Sequence, residues 1–221
     1  AKIAAIRALE RDHDANRQRD HEEMNRYCTV ARLWIVTGVP RLVIMHGYSG
    51  SGKTWLSQAL MLRLPAIRLR SDIERKRLHG LRETEDSGSA VAAGLYAPGA
   101  RTEVYERLAG LAETLLAAGH TVVVDASFLD RAERDRFRDL AGRVGRAFVV
   151  VSASAAHEEL RRRIESRDHV GGDVSEADIS VLRYQLDHAD ALDIDERDYA
   201  IDVATDSPVD LDRLVTRLGP S

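Results

Sequence analysis

The stretch from Val43 to Trp55, VIMHGYSGSGKTW, decides the fold of this 221-residue chain. It starts with a short apolar run and continues with the residues of a polar, glycine-rich motif: Gly47, Gly50, Gly52, Lys53 and Thr54. Glycine adopts positive φ angles without strain, so the backbone can wrap closely around a ligand. Successive N–H groups can then point inward as an anion nest, and a following helix adds the positive end of its dipole. The stretch therefore predicts a phosphate-binding loop between a buried strand and a helix.

The spacing Gly-x-x-x-x-Gly-Lys-Thr matches the P-loop pattern, and a strand before it with a helix after it is the context that confirms the pattern. Lys53 is expected to reach the β- and γ-phosphates, and the Thr54 hydroxyl to ligate Mg²⁺, so ATP and Mg²⁺ are the predicted cofactors. The predicted nucleotide-binding residues are contiguous: Gly47, Tyr48, Ser49, Gly50, Ser51, Gly52, Lys53 and Thr54. A glycine-rich turn with an incidental Lys-Thr pair is the alternative, and the agreement of pattern and context disfavours it.

Composition excludes several classes of protein. Apolar residues make up 44% and charged residues 31% of the chain, which is typical of a soluble globular protein. The net charge of −4 gives no global basic field for nucleic acid, and no apolar run approaches the roughly 18 residues of a membrane span. The single cysteine, Cys28, rules out a disulfide framework and fits a cytoplasmic setting.

The first part of the chain differs from the rest. Residues 7–27 mix both charge signs densely without Gly or Pro, which favours solvated helices. The TGVPR segment, Thr37–Arg41, then breaks this pattern. We therefore predict a helical extension over 1–38 and a main domain over 39–221. Because the chain begins with Ala, we expect the extension to be the tail of a preceding domain or a linker.

Short apolar runs alternate with helical patterns after this boundary. The predicted strands are 42–45, 66–69, 121–125, 147–153 and 199–205. The predicted helices are 55–64, 72–78 with Ser71 as a cap, one starting at Pro98, 132–144, 158–167, 176–186 and 209–218. This alternation predicts an α/β fold, a three-layer α/β/α sandwich around a five-stranded parallel sheet.

Two aspartates follow predicted strands. In a parallel sheet the carboxyl ends of the strands meet at the ligand crevice. Asp72 could accept the proton of an attacking hydroxyl there, or it could cap the next helix, and the residues alone leave both open. Asp125 ends TVVVD and is predicted as the second Mg²⁺ element beside Thr54, the alternative being a cap for the Arg131 helix or a partner of an arginine.

Arginines near these carboxylates could bind anions. Arg75 lies one helical turn after Asp72 and could hold an anionic group of an acceptor or of the transferring phosphoryl. A solvated basic face made of Arg70, Arg75, Lys76 and Arg77 is the alternative, and it suits Lys76 and Arg77 better. Arg163 and Arg167 are four residues apart and so share a helix face that could cover the transferring phosphoryl as a lid. Pairs such as Glu158 with Arg162 and Glu159 with Arg163 are the alternative there.

These motifs together resemble P-loop kinase-type domains, often labelled AAA-domain or zeta-toxin/polynucleotide-kinase-like, over about residues 41–206. The segments that carry the likeness are GYSGSGKT, IRLRSDIERKRLHG, GHTVVVDASFLDRAERDRF and LRRRIESRD. Gluconate kinases and chloramphenicol phosphotransferases are similar at a greater distance. The chain also resembles the C-terminal half of bifunctional proteins with an aminoglycoside phosphotransferase-like N-terminal half, and such a domain is an expected partner.

The resemblance implies roles for particular residues. Asp72 would be the general base, Arg75 a substrate or phosphate contact, and Arg163 and Arg167 the lid arginines, with adenine near Thr205 and Asp206. Trp55 departs from the family, in which a small residue often stands, so it could either pack or reshape the pocket.

The sequence thus predicts a kinase in which Lys53, Asp72, Arg75, Arg163 and Arg167 act on ATP and a small-molecule hydroxyl. A nucleotide-binding regulatory ATPase module is the rival from another class. A polynucleotide 5′-hydroxyl acceptor is disfavoured by the net charge and by an aromatic content of 5%.

Overall fold

The structure, a computed structural model, describes residues 39–82, 98–170 and 179–219, together with isolated positions in the N-terminal segment. The predicted helical extension over 1–38 lies outside these ranges. Among the described residues no helix combines the length and apolar character needed to cross a membrane.

Five parallel strands form one sheet in the order β2-β3-β1-β4-β5. The strands are β1 (Arg41–His46), β2 (Ala66–Arg70), β3 (Thr121–Asp125), β4 (Ala147–Ser154) and β5 (Ala200–Ala204). The strand that precedes the glycine-rich loop is central, so the loop emerges in the middle of the carboxyl edge of the sheet. The predicted α/β class and five-stranded parallel sheet are confirmed.

Helices connect the strands. They are α1 (Lys53–Met61), α2 (Ser71–Leu78), α3 (Pro98–Ala117), α4 (Arg131–Arg143), α5 (His157–Val170), α6 (Ile179–His188) and α7 (Leu211–Leu218), with a 3₁₀ turn at Arg197–Tyr199. The prediction that Ser71 caps α2 is wrong, because Ser71 is the first helical residue and the cap position is Arg70, which makes no side-chain capping bond. The described part of the helix predicted over 176–186 begins at Ile179.

Alternating residues of the central strand face the two outer layers, as the period of two in a strand requires. Leu42 and Ile44 pack into a cluster with residues of α3 and α4, while Val43 and Met45 pack with residues of α1 and α7. All four side chains are fully buried. The sheet is therefore covered on both faces, and its carboxyl edge is left to form a site.

A smaller apolar cluster lies at this edge. Leu160 and Ile164 of α5 pack against Leu182 of α6, and Tyr48 of the glycine-rich loop packs onto the same cluster. We call α5 and α6 the lid pair. Its packing places the side chains of α5 beside the loop.

Candidate active site

The glycine-rich loop adopts a conformation that requires its glycines. Gly47, Gly50 and Gly52 have φ angles of 136°, 81° and 84°, a region that L side chains rarely adopt. A Cβ at Gly50 would lie 2.7 Å from the backbone oxygen of Leu160, and one at Gly52 would lie 3.2 Å from Thr205 Oγ1. Side chains at these two positions would therefore crowd α5 and the residue after β5.

The lysine of the motif is held over the loop. Lys53 Nζ donates to the backbone oxygen of Tyr48 at 2.6 Å, and the Ser51 N–H donates to the same oxygen at 3.1 Å. Lys53 is also the first residue of α1, whose cap is Gly52. The ammonium and the positive end of the helix dipole therefore meet at one place, which favours a polyphosphate.

The base of the loop rests on the turn after β3. The Gly47 N–H donates to the Ser127 carbonyl at 3.1 Å. The next residue, Phe128, is fully buried at φ 46°, and its N–H donates to the Tyr105 hydroxyl at 3.1 Å. Its ring meets Tyr105 and Phe137 edge-on, at centroid distances of 5.1 and 4.9 Å. Packing that holds a non-glycine residue at positive φ fixes this turn, and hence the base of the loop.

Asp125 is buried at the end of β3. Ser57 Oγ donates to Asp125 Oδ2 at 2.9 Å, and Arg70 Nε lies 4.0 Å from the same oxygen. Burial raises the pKa of Asp125, although the Ser57 hydrogen bond and the nearby Lys53 charge oppose this. The alternative that it caps the following helix is wrong, since Asp130 accepts the capping bond from the Ala132 N–H.

Asp72 lies in the first turn of α2, beside Asp125. Arg75 Nη1 donates to Asp72 Oδ1 at 3.2 Å, and Arg70 Nη2 lies 4.0 Å from Asp72 Oδ2. Arg70 and Asp125 are register partners on β2 and β3, so the topology itself brings the two carboxylates to one edge. The structure therefore places Asp72, Arg75 and Asp125 in one cluster, bridged by Arg70, whose bridging position the sequence did not predict.

Two further basic residues of this region behave differently from each other. Lys76 is only 4% exposed, so the interpretation of this side chain as part of a solvated face is wrong. Arg77 is exposed and pairs with the buried Glu74, which agrees with that interpretation.

Arg163 of the lid pair reaches the loop. Its Nη1 donates to the Gly50 carbonyl at 3.1 Å and its Nε to Glu159 Oε1 at 2.6 Å. The Glu159–Arg163 pair of the alternative is therefore present. Its other pair, Glu158 with Arg162, is wrong, because Arg162 also bonds to Glu159. Arg167 is helical, and its side chain lies outside the described residues.

Trp55 lies directly after the loop, in the first turn of α1, and is 53% exposed. About half of its surface is therefore buried against the protein, and the alternative that it reshapes the pocket stays a prediction.

Some residues that support the site were missed in the sequence. Ser57 Oγ donates a hydrogen bond to Asp125. The Ser127 carbonyl accepts one from the Gly47 N–H, and Gln185 Oε1 accepts one from the Ser49 N–H. Only Ser57 carried a usable signal, because it lies one helical turn after Thr54 and so shares its face of α1.

The site suits Mg²⁺. No group of three or more His, Cys, Asp or Glu side chains able to hold a metal occurs in 39–82, 98–170 and 179–219. Mg²⁺ does not need one, since it is usually bound by one or two protein oxygens together with substrate phosphates and water. The buried Asp125 carboxylate and the Thr54 hydroxyl, beside a phosphate cradle, fit that requirement.

The central strand, the glycine-rich loop, the acidic end of β3 and the carboxylate just after β2 are those of the α/β P-loop kinase fold. The chain belongs to the AAA-domain family, whose model matches residues 42–192.

Known proteins resemble the chain in sequence or in fold. Uncharacterized proteins of Mycobacterium bovis and Mycobacterium tuberculosis are 27% identical over 142 residues, which is 64% of this chain but 28% of their own length. A candidate kinase of Chloroflexus aurantiacus superposes with a TM-score of 0.63 at 20% identity, covering 82% of this chain and 97% of that one. A sugar kinase of Janibacter superposes with a TM-score of 0.59 at 22% identity, covering 81% of this chain and 92% of that one. A gluconokinase of Sinorhizobium meliloti superposes with a TM-score of 0.55 at 20% identity, covering 81% of this chain and 96% of that one.

Proposed function

We propose that this chain is an ATP-dependent phosphotransferase that moves the γ-phosphoryl of Mg·ATP to a hydroxyl group of a small molecule. The observation that carries the proposal is the pair of carboxylates, Asp72 and Asp125, at one edge of the sheet beside the loop. One carboxylate suffices for a metal. The second, flanked by Arg75 and Arg70, supplies the base that a kinase needs and a binding module does not.

Each residue has a role in this mechanism. The loop from Gly47 to Thr54 holds the polyphosphate, and Thr54 and Asp125 would hold Mg²⁺, which neutralises phosphate charge when bound. Asp72 accepts the proton of the attacking hydroxyl. The hydroxyl oxygen then bonds to the γ-phosphorus, while the bond between that phosphorus and the bridging β-phosphate oxygen breaks. Arg75 orients the acceptor. Arg167 covers the transferring phosphoryl, whose negative charge it stabilises. Arg163, which donates to the Gly50 and Thr205 carbonyls, supports the loop instead.

The acceptor is a small hydroxyl compound, such as a sugar, a nucleoside-like molecule or an antibiotic. The sugar kinase and the gluconokinase that share this fold support testing sugars and sugar acids first. A polynucleotide 5′-hydroxyl and a regulatory ATPase without an acceptor are the other outcomes that the experiment must separate.

The test is transfer of ³²P from γ-labelled ATP to panels of sugars, sugar acids, nucleosides, aminoglycosides and 5′-hydroxyl oligonucleotides. We expect labelling of a small-molecule panel by the wild type. Lys53→Met should lose both transfer and Mg·ATP affinity. Asp72→Asn should lower kcat by about 10²- to 10⁴-fold, the usual range for a general base, while Kd for Mg·ATP stays within about twofold.

Asp139→Asn serves as the control, because Asp139 is an exposed carboxylate on α4, outside the site. Full transfer by Asp72→Asn would show that Asp72 is not the base. Binding of Mg·ATP with release of inorganic phosphate and no labelled acceptor in any panel would favour the regulatory ATPase.

A further inference from the structure

Thr205, the residue directly after β5, contacts three separate parts of the site. Its Oγ1 lies 2.8 Å from the Ser51 carbonyl of the loop and 3.1 Å from the Ser154 carbonyl at the end of β4. It also accepts a hydrogen bond from Arg163 Nη1 at 2.9 Å. A hydroxyl has one proton to donate and lone pairs to accept, so this side chain uses both capacities.

Arg163 completes the connection from the lid pair. Its Nη1 also donates to the Gly50 carbonyl at 3.1 Å, and its Nη2 donates to the Thr205 carbonyl at 2.8 Å. Hydrogen bonds from Arg162 and Arg163 lower the pKa of Glu159 to about 2, so the carboxylate that orients Arg163 stays ionised at neutral pH. One guanidinium thereby joins α5, the loop and the end of β5.

These contacts fix the orientation of peptide planes in the loop. In a trans peptide the C=O and N–H groups point in opposite directions. Thr205 holds the Ser51 carbonyl on the outer side, which turns the Gly52 N–H toward the interior where an anion would sit. A Cβ at Gly52 would lie 3.2 Å from Thr205 Oγ1 and 3.4 Å from Arg163 Nη1, so this outer wall is tightly packed.

We propose that Thr205 and Arg163 form a brace that holds the loop in its anion-binding shape before nucleotide arrives. Both act here as positioning residues, through the Gly50 and Ser51 carbonyls. The ligand that the loop would bind is a nucleoside triphosphate. The expected effect of the brace on nucleotide binding and catalysis therefore rests on the proposed function. The conformation of the loop without added ligand does not depend on that function and can be measured separately.

The test compares Thr205→Val, which removes the hydroxyl at nearly constant shape, with Thr205→Ser, which keeps it. Thr216→Val is the matched control, because Thr216 Oγ1 makes a similar bond of 2.9 Å to the Asp212 carbonyl on an exposed face of α7. Arg163→Gln provides a second route to the same loss if Thr205→Val folds poorly. The readouts are amide hydrogen exchange over residues 46–56 without ligand, and Kd and KM for Mg·ATP.

We expect Thr205→Val and Arg163→Gln to speed exchange in the loop and to raise Kd and KM for Mg·ATP about tenfold, the loss of roughly one good hydrogen bond. In Thr205→Val, kcat should change less than about threefold, as for a residue that acts through the loop. Thr205→Ser and Thr216→Val should behave as wild type in every readout.

Unchanged exchange over residues 46–56 in both Thr205→Val and Arg163→Gln would overturn the brace, whether or not nucleotide binds. Faster exchange in these variants of a protein whose wild type binds no Mg·ATP would support the brace and refute the proposed function. The two ideas therefore fail separately.

Discussion

His46, the last residue of β1, illustrates how a single side chain adjusts to the charge of the site. Its Nδ1 lies 3.1 Å from Ser152 Oγ, and its Nε2 is buried without a hydrogen-bond partner among the described residues. Burial, together with the positive charges of Arg134 and Lys53 and against the opposing effect of Glu196, lowers its pKa to about 4. The imidazole is therefore neutral at physiological pH and adds no charge behind the loop.

This depressed pKa predicts a specific pH dependence of stability. Between the unfolded value of 6.5 and the folded value of about 4, the unfolded chain binds a proton that the folded chain does not. The free energy of unfolding must therefore fall as the pH falls through that range. We expect wild type to lose about 2–3 kcal/mol more than His46→Gln between pH 7.5 and pH 4.5, measured by urea unfolding. Carboxylates common to both proteins cancel in this comparison, and parallel curves would show that His46 does not titrate in this way.

At the scale of elements, a buried ion pair fastens α4 to the segment before β5. Arg134 and Glu196 have side-chain exposures of 1% and 0%, and they are joined by bonds of 2.6 and 2.9 Å. Arg134 also donates to the carbonyls of Phe128, Asp190 and Ala191. Burial opposes ionisation of Glu196, yet hydrogen bonds from Arg134 and from the Asp193 N–H hold its pKa below the usual value. The ion pair thus stabilises the turn at Phe128, which contacts the base of the glycine-rich loop.

Removing one partner of this ion pair should lower the stability of the fold strongly, because the charge of the other partner stays buried without compensation. We expect Arg134→Met to lower the free energy of unfolding by about 3–5 kcal/mol. The double variant Arg134→Met with Glu196→Leu should recover part of the loss, since no lone charge remains. Arg143→Met, an exposed position on the same helix, should cost less than about 0.5 kcal/mol. Urea unfolding measures all three, and a double variant less stable than the single one would contradict this account.

Elements and contacts differ in how far the sequence predicts them. The predicted bounds of β2 and β3 lie within one residue of the observed ones, because short β-branched or apolar runs with polar stops specify strands locally. The cluster of Asp72 and Asp125 followed from the rule that parallel strand ends converge. The bonds from Thr205 to Ser51 and from Arg163 to Gly50 join residues 154 and 113 positions apart. Such bonds depend on strand order and helix docking, which carry no local signal.

At the scale of the whole molecule, the loop contacts elements that lie far apart in the sequence. It leaves the central strand, rests on the turn after β3, and contacts α5, α6 and the residue after β5. A ligand that binds the loop in the native state alone should therefore stabilise the domain as one unit. Binding to the native state adds RT ln(1 + [L]/Kd), about 2.7 kcal/mol at a ligand concentration of 100 Kd.

We therefore expect Mg·ATP at that concentration to raise the thermal unfolding midpoint by roughly 5–10 °C, since 1 kcal/mol shifts a domain of this size by about 2–4 °C. Differential scanning fluorimetry with a titration of Mg·ATP measures the shift. Asp72→Asn should show the full shift, because it removes the proposed base and leaves the cradle. Lys53→Met should show little or none, because the ammonium beside the Tyr48 carbonyl is lost. A midpoint that stays constant for the wild type up to millimolar Mg·ATP would mean that the loop, although correctly shaped, does not hold this nucleotide.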